Sequence, residues 1–177
     1  MRTALYWISG PWPGRLAIVP RPRGGDWLAD EVHSWRDASL DVVVSLLTPE
    51  EIAEFELEQE ENWCQVHGLQ FHSFPIPDRG VPASRTALVD LVISLEKALG
   101  ASKGVAVHCR QGIGRSGLVT ATLLVAAGEA PEIALEGISR ARGRPVPDTL
   151  EQSDWVQAFV SVSSSFVSGT KRAQISF

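Results

Sequence analysis

Cys109, Arg115 and Ser116 are the residues of this chain best suited to do chemistry together. They stand in GVAVHCRQGIGRSGLVTATLLVA, residues 104–126, between two apolar segments. A strand ending at His108 and Cys109 delivers a thiol to the carboxyl edge of a sheet, where the ligand sites of open α/β folds lie. The glycines at 112, 114 and 117 let the stretch Arg110, Gln111, Gly112, Ile113, Gly114 coil tightly, so that its amide groups converge on one point. Arg115 and Ser116 then begin a helix whose N-terminal amides and dipole face the same point. Such a cradle holds an anion over the sulfur, and positive surroundings favour the nucleophilic thiolate. The planar fork of Arg115 can grip two oxygens of a tetrahedral phosphate, and Ser116 is placed to donate a hydrogen bond to the sulfur. A buried cysteine beside a plain glycine turn would need neither Arg115 nor the polar run after the thiol.

The elements that must position this loop alternate between strand and helix. ALYWI and RLAIV read as short strands separated by SGPWPG, whose prolines and glycines stop either from continuing. After PRPRGGD, Trp27 to Ser39 carries Trp27, Leu28, Val32 and Trp35 at helical spacing. DVVVSLL reads as a fully buried strand. TPEEIAEFELEQEENW reads as one helix opened by an N-cap threonine, a proline and acidic residues. LQFHSFPI is a strand ending at proline, and Ala83 to Leu99 a helix with Leu88, Leu91, Val92 and Leu95 on one face. GVAVH is a buried strand, Ser116 to Ala127 a largely apolar helix, Pro131 to Arg142 a helix and Leu150 to Val162 the last helix. The pattern predicts a three-layer α/β fold, a mostly parallel central sheet of about five strands flanked by helices. Residues 1–163 read as one domain, and the tail from 164 to 177 loses the pattern and reads as loosely ordered.

The run VHCRQGIGRSG resembles the signature loop of the cysteine-based protein tyrosine phosphatase superfamily: His, Cys, five residues, Arg, then Ser or Thr. The resemblance covers roughly residues 40–160 and is nearest to compact dual-specificity and small prokaryotic-type enzymes. It implies the tyrosine phosphatase-like fold and a two-step reaction. In the first step the Cys109 thiolate attacks phosphorus while a general acid protonates the leaving oxygen; in the second, water releases the phosphocysteine. The acid of the superfamily is similarly an aspartate on a loop after a strand, which Asp78 in FPIPDRGVP matches; Asp148 in GRPVPDTLEQ is the rival. The latter segment resembles the family loop whose glutamine positions the hydrolytic water, and Gln152 falls on that glutamine. His108 is implied to orient the loop through ring hydrogen bonds, and Ser116 to stabilise the departing thiolate. Arg115 and the backbone amides supply the positive field, so no metal or other cofactor is required. Cys64 could pair with Cys109 on oxidation, as in some relatives, but the sequence sets no distance between them.

Composition bounds the rest. The net charge of −5 argues against general nucleic-acid binding, which usually uses a basic face. Two cysteines suit a reducing compartment and are too few for a disulfide scaffold. No stretch approaches the roughly 20 apolar residues of a membrane helix, so the expectation is a cytoplasmic monomer without membrane insertion. Cys64 and His67 have a spacing zinc could use but lack a second matching pair. The six tryptophans read as core, and Arg21 and Arg23 in PRPRGG either border the site or form a solvated turn. The expected substrate is a phosphorylated protein or peptide, with phosphotyrosine first and phosphoserine or phosphothreonine beside it. A phosphoinositide is the alternative, disfavoured because the loop interior carries no lysine. RNA 5′-triphosphates are disfavoured by the modest basic content. Alternatives of other classes are a sulfur transferase, whose loop spacing differs, and a phosphate-binding pseudophosphatase, which would lack a reactive group.

Overall fold

The computed structural model describes residues 4–159. Strands β1 (Tyr6–Ile8), β2 (Arg15–Pro20), β3 (Val42–Ser45), β4 (Gln70–Ser73) and β5 (Gly104–Cys109) form one sheet in the order β1-β2-β5-β3-β4. Only β1 runs antiparallel to its neighbour; the other pairings are parallel. β5 is central and wholly buried, as its apolar run on both faces requires. Its register sets Cys109 opposite Pro20 and His108 opposite Ser45.

Alternation along the strands sends neighbouring residues to different layers. Val105, Val107 and Cys109 enter one core with α4 (Arg85–Gly100), α5 (Gly114–Ala126), α6 (Pro131–Arg142) and the last helix, α7, helical over 150–159. Ala106, Val19 and Val43 enter the other, with Trp35 of α1 (Leu28–Asp37), Leu57 and Cys64 of α3 (Glu60–Val66). The sheet is thus covered on both sides, which gives the three layers.

The segment from 48 to 63 departs from the single helix its composition suggests. It forms α2 (Pro49–Glu54) and then α3, separated by Glu56 at φ 55°. A continuous helix would turn Leu57 to nearly the opposite side from Phe55; the break instead buries Leu57, whose amide bonds to the Ile52 carbonyl. Thr48 and Glu51 close a reciprocal capping box at the start of α2, with Pro49 at its first position. β4 is shorter than LQFHSFPI, yet the amides of Phe74 and Ile76 continue the pairing onto Ser45 and Leu46. Pro75 and Pro77 have no amide hydrogen to donate, and the chain leaves the sheet. α1 is preceded by a 3-10 turn over Gly25–Trp27. α5 begins at Gly114, two residues before Ser116, so Arg115 lies in its first turn. The tail and the last part of the final predicted helix lie outside the described residues.

Candidate active site

Cys109 ends β5 with its side chain on the α4–α5 side of the sheet, and the chain then turns through Arg110–Ile113 into α5. Gly112 has φ +66°, and a Cβ there would lie 2.8 Å from the Val19 carbonyl oxygen, so the turn against β2 requires glycine. Arg142, in the last turn of α6, donates from Nε to the Gly112 carbonyl and from Nη2 to the Gln111 carbonyl at 3.1 Å. In a trans peptide the N–H points away from the C=O. Fixing those two carbonyls toward Arg142 therefore turns the amides of Gly112 and Ile113 to the side away from that guanidinium. The Arg142 guanidinium itself lies 3.6 Å over the Tyr6 ring. No side chain caps the start of α5, which leaves its first amides available to an anion.

Ser116 Oγ lies 3.4 Å from Cys109 Sγ. Arg115, the residue just before Ser116, is only 2% exposed and is held from several sides. Nη1 donates to Glu51 Oε2 at 2.6 Å and to the Ile76 carbonyl at 3.0 Å, while Nη2 donates to Glu51 Oε1 at 2.8 Å. Nη2 also faces Asp78 Oδ1 at 3.1 Å. Nε makes no hydrogen bond to the described residues. Burial opposes the Arg115 charge, but the hydrogen bonds that it donates to Glu51 and the surrounding negative charges outweigh it, and its pKa rises further above an already high ordinary value. Burial likewise works to raise the Glu51 carboxyl. Hydrogen bonds from Arg115 and the Thr48 amide, with the charges of Arg115 and Arg110, prevail and hold it below the ordinary glutamate range.

Asp78 follows β4 on the loop braced by Pro75 and Pro77 and is 56% exposed. That loop is closed by the Gly80 amide on the Pro77 carbonyl at 2.9 Å. It is tied to the opposite wall by Gln152, whose Nε2 donates to the Gly80 carbonyl at 2.9 Å while Oε1 accepts from the Asp148 amide at 3.2 Å. The result is a cleft of about 310 Å³ lined by Asp78, Arg79, Cys109, Arg110, Gln111, Ile113, Gly114, Arg115 and Asp148. Asp148 Oδ2 would be 2.6 Å from a Cβ on Gly114, so the glycine makes room for this carboxylate.

Two sequence-derived placements differ. His108 points to the other side of the sheet, with Nε2 2.8 Å from Glu60 and its ring 6.0 Å from Trp35. Its ring makes no hydrogen bond to the loop among the described residues, because the alternation that brings Cys109 to one face sends its neighbour to the other. Gln152 is fully buried behind the cleft with both ends of its amide engaged by backbone, and Asp148 is the group that reaches the lining. Cys64 belongs to the core on the opposite face from Cys109, and both thiols are free. Arg21 stacks on Phe55 and Arg23 pairs with Glu31, so neither lines the cleft. Among the described residues no group of three or more His, Cys, Asp or Glu could hold a metal ion, and no helix is long and apolar enough to cross a membrane.

The family model described as "Polymorphic toxin system, DSP-PTPase phosphatase" matches residues 19–129, more than half of the chain and all of the loop just described. The chain belongs to this DSP-PTPase phosphatase family. It is 24% identical over 140 residues to rat (Rattus norvegicus) cyclin-dependent kinase inhibitor 3, a match covering 78% of this chain and 66% of the rat protein. Against pig (Sus scrofa) cyclin-dependent kinase inhibitor 3 the identity is 30% over 95 residues, 52% of this chain and 44% of that protein. The chain therefore spans less than two thirds of these relatives. Its fold superposes on kinase associated phosphatase with a TM-score of 0.83 at 20% identity, covering 93% of this chain and 98% of that one. PTPMT1 in complex with PI(5)P superposes with a TM-score of 0.73 at 18% identity, covering 91% and 99%. These likenesses establish the DSP-PTPase fold.

Two side chains that organise this DSP-PTPase cleft went unread in the sequence. Glu51 stands there among the acidic residues at the start of a helix, with nothing to show that its carboxylate also meets an arginine 64 positions away. Arg142 reads as a last-turn cation that suits a helix dipole; its hold on the loop carbonyls depends on how α6 packs against α5.

Proposed function

We propose that this chain is a cysteine-dependent phosphomonoester hydrolase that acts on phosphotyrosine in proteins, with phosphoserine and phosphothreonine as further substrates. The observation that carries the reading is the position of the Cys109 sulfur: it lies in a cleft shared with Arg115 and Asp78, with the Ser116 hydroxyl at 3.4 Å. A phosphoryl group over the sulfur takes the Nε–H and an Nη2–H of Arg115 together with the amides of the loop, which stabilise charge on its equatorial oxygens. Occupying Nη2 frees the Asp78 carboxyl from its ion pair and leaves it beside the leaving oxygen.

In the first step the Cys109 thiolate forms an S–P bond while the P–O bond breaks, and Asp78 gives its proton to the departing oxygen. In the second, Asp78 takes a proton from water as its oxygen attacks phosphorus. The S–P bond then breaks, and Ser116 donates a hydrogen bond to the released thiolate. Glu51 holds the Arg115 fork in plane, and Gln152 fixes the acid loop through Gly80. A loop interior without lysine, in a cleft that also presents Asp78 and Asp148, suits phosphotyrosine in a peptide better than a polyphosphorylated lipid head group.

Hydrolysis of aryl phosphates with good and poor leaving groups, followed by phosphopeptides and phosphoinositide vesicles, tests the reading. Cys109→Ser is expected to abolish turnover, and Asp78→Ala to slow the poor leaving group more than the good one, by about 100-fold or more. Selective slowing by Asp148→Ala alone would transfer the acid role to that residue, and faster turnover of phosphoinositides than of phosphopeptides would replace the substrate class. Phosphopeptide binding without turnover would make the chain a binding module.

A further inference from the structure

The cleft holds three guanidinium groups, and two of them are already committed to carboxylates of the chain. Arg115 takes both oxygens of Glu51, and Arg110 lies 3.6 Å from Glu54 and over the Phe55 ring. Arg79, which follows the proposed acid directly, is exposed, and its side chain makes no hydrogen bond, ion pair or ring contact with any described residue. Its backbone is left-handed, φ 59°, a conformation that residues with a Cβ adopt at a cost and that recurs at ligand-binding positions. The loop is held on both sides of it by the Gly80 amide on Pro77 and by Gln152 on the Gly80 carbonyl. A charged side chain is therefore kept at the cleft by strained backbone, and no contact within the described residues accounts for its position.

We propose that Arg79 is a specificity-determining residue that pairs with a second anionic group of the substrate, a carboxylate side chain next to the phosphorylated residue of a peptide. One uncommitted cation answers one additional negative charge. A head group bearing several further phosphates would instead meet Asp78 and Asp148, which line the same cleft, on a chain of net charge −5. The inference rests on the phosphopeptide reading above and specifies which peptides are preferred.

The test is equilibrium binding to the Cys109→Ser variant, which measures recognition apart from turnover. The probes are two phosphotyrosine peptides identical except for glutamates or glutamines flanking the phosphorylated residue, with phosphoinositide vesicles as competitor. The acidic peptide is expected to bind about fivefold tighter, the ratio that an ion pair of about 1 kcal/mol gives, and the preference should shrink as salt is raised. Adding Arg79→Ala should erase the ratio, Arg79→Lys should keep part of it, and Arg79→Glu should invert it toward a peptide with lysine flanks. An unchanged ratio in Arg79→Ala overturns the assignment. So does an equal weakening of both peptides, which would place Arg79 on the shared phosphate, and so do vesicles that outcompete both peptides. Aryl phosphate turnover by the unmutated chain, measured in parallel, reports on the hydrolase reading separately: its absence with an intact, Arg79-dependent ratio would remove that reading and leave this one.

Discussion

Arg115 can keep its charge in the core because Glu51 meets it with two oxygens and the Ile76 carbonyl takes a third hydrogen bond. Replacing Glu51 by glutamine leaves the guanidinium buried without its bidentate partner and with only the half-exposed Asp78 carboxylate beside it, and breaking such a pair from one side costs about 3 kcal/mol. Urea unfolding of Glu51→Gln should show a loss of that order, together with a fall in kcat/KM as the fork loses its plane. The same pair predicts an acid limb. The folded Glu51 carboxyl titrates below its ordinary value of 4.5, so its contribution to stability is complete above about pH 4.5 and is lost as pH falls through the folded value. Stability of the unmutated chain should therefore drop more steeply below about pH 4.5 than that of Glu51→Gln. Equal slopes in the two proteins would show that the ion pair carries no linkage.

At the scale of elements, the loop between β5 and α5 is shaped from outside itself. Gly112 lets it turn against β2, and Arg142 of α6, resting on Tyr6 of β1, fixes two of its carbonyls. Arg142→Met keeps much of the packing but releases those carbonyls, so the amides opposite them lose their aim. The expected result is a fall in kcat of about tenfold or more, since preorganised donors carry much of the stabilisation in such sites, with a change in the urea midpoint too small to explain it. A midpoint loss that accounts for the whole fall would give Arg142 a structural role only. This division also explains what the sequence shows. The loop, the strand before it and the helix after it are contiguous, so their glycines, apolar runs and Arg115 can be read along the chain. The break between α2 and α3, and the partners of Arg142 and Glu51, depend on elements far apart in sequence. The pattern of strands and helices names the layers, but it does not reveal that β5 inserts between β2 and β3.

The sheet also partitions the molecule. Cys109 faces the layer of α4 to α7, and Cys64 faces the layer of α1 and α3, where burial first and then the charges of Glu60 and Glu61 push its thiol up to about 12. The alternation that separates Cys109 from His108 thus also separates the two thiols, which spacing along the chain could not show. Under native conditions iodoacetamide should modify Cys109 and spare Cys64, and both should react once the chain is unfolded in urea. Mild peroxide should yield no Cys64–Cys109 disulfide, and finding that disulfide in folded protein would contradict the separation of the two faces.

In the proposed two-step reaction Cys109 is the covalent carrier of the phosphoryl group, and this proposal is open to direct observation. The measurement is acid quenching within the first turnover of an aryl phosphate with a good leaving group, followed by peptide mapping of the phosphorylated residue. A burst of phenol release and a phosphoryl group on the peptide containing Cys109 are expected, both lost in Cys109→Ser. A phosphoryl group on another residue, or undiminished turnover in Cys109→Ser, would contradict it.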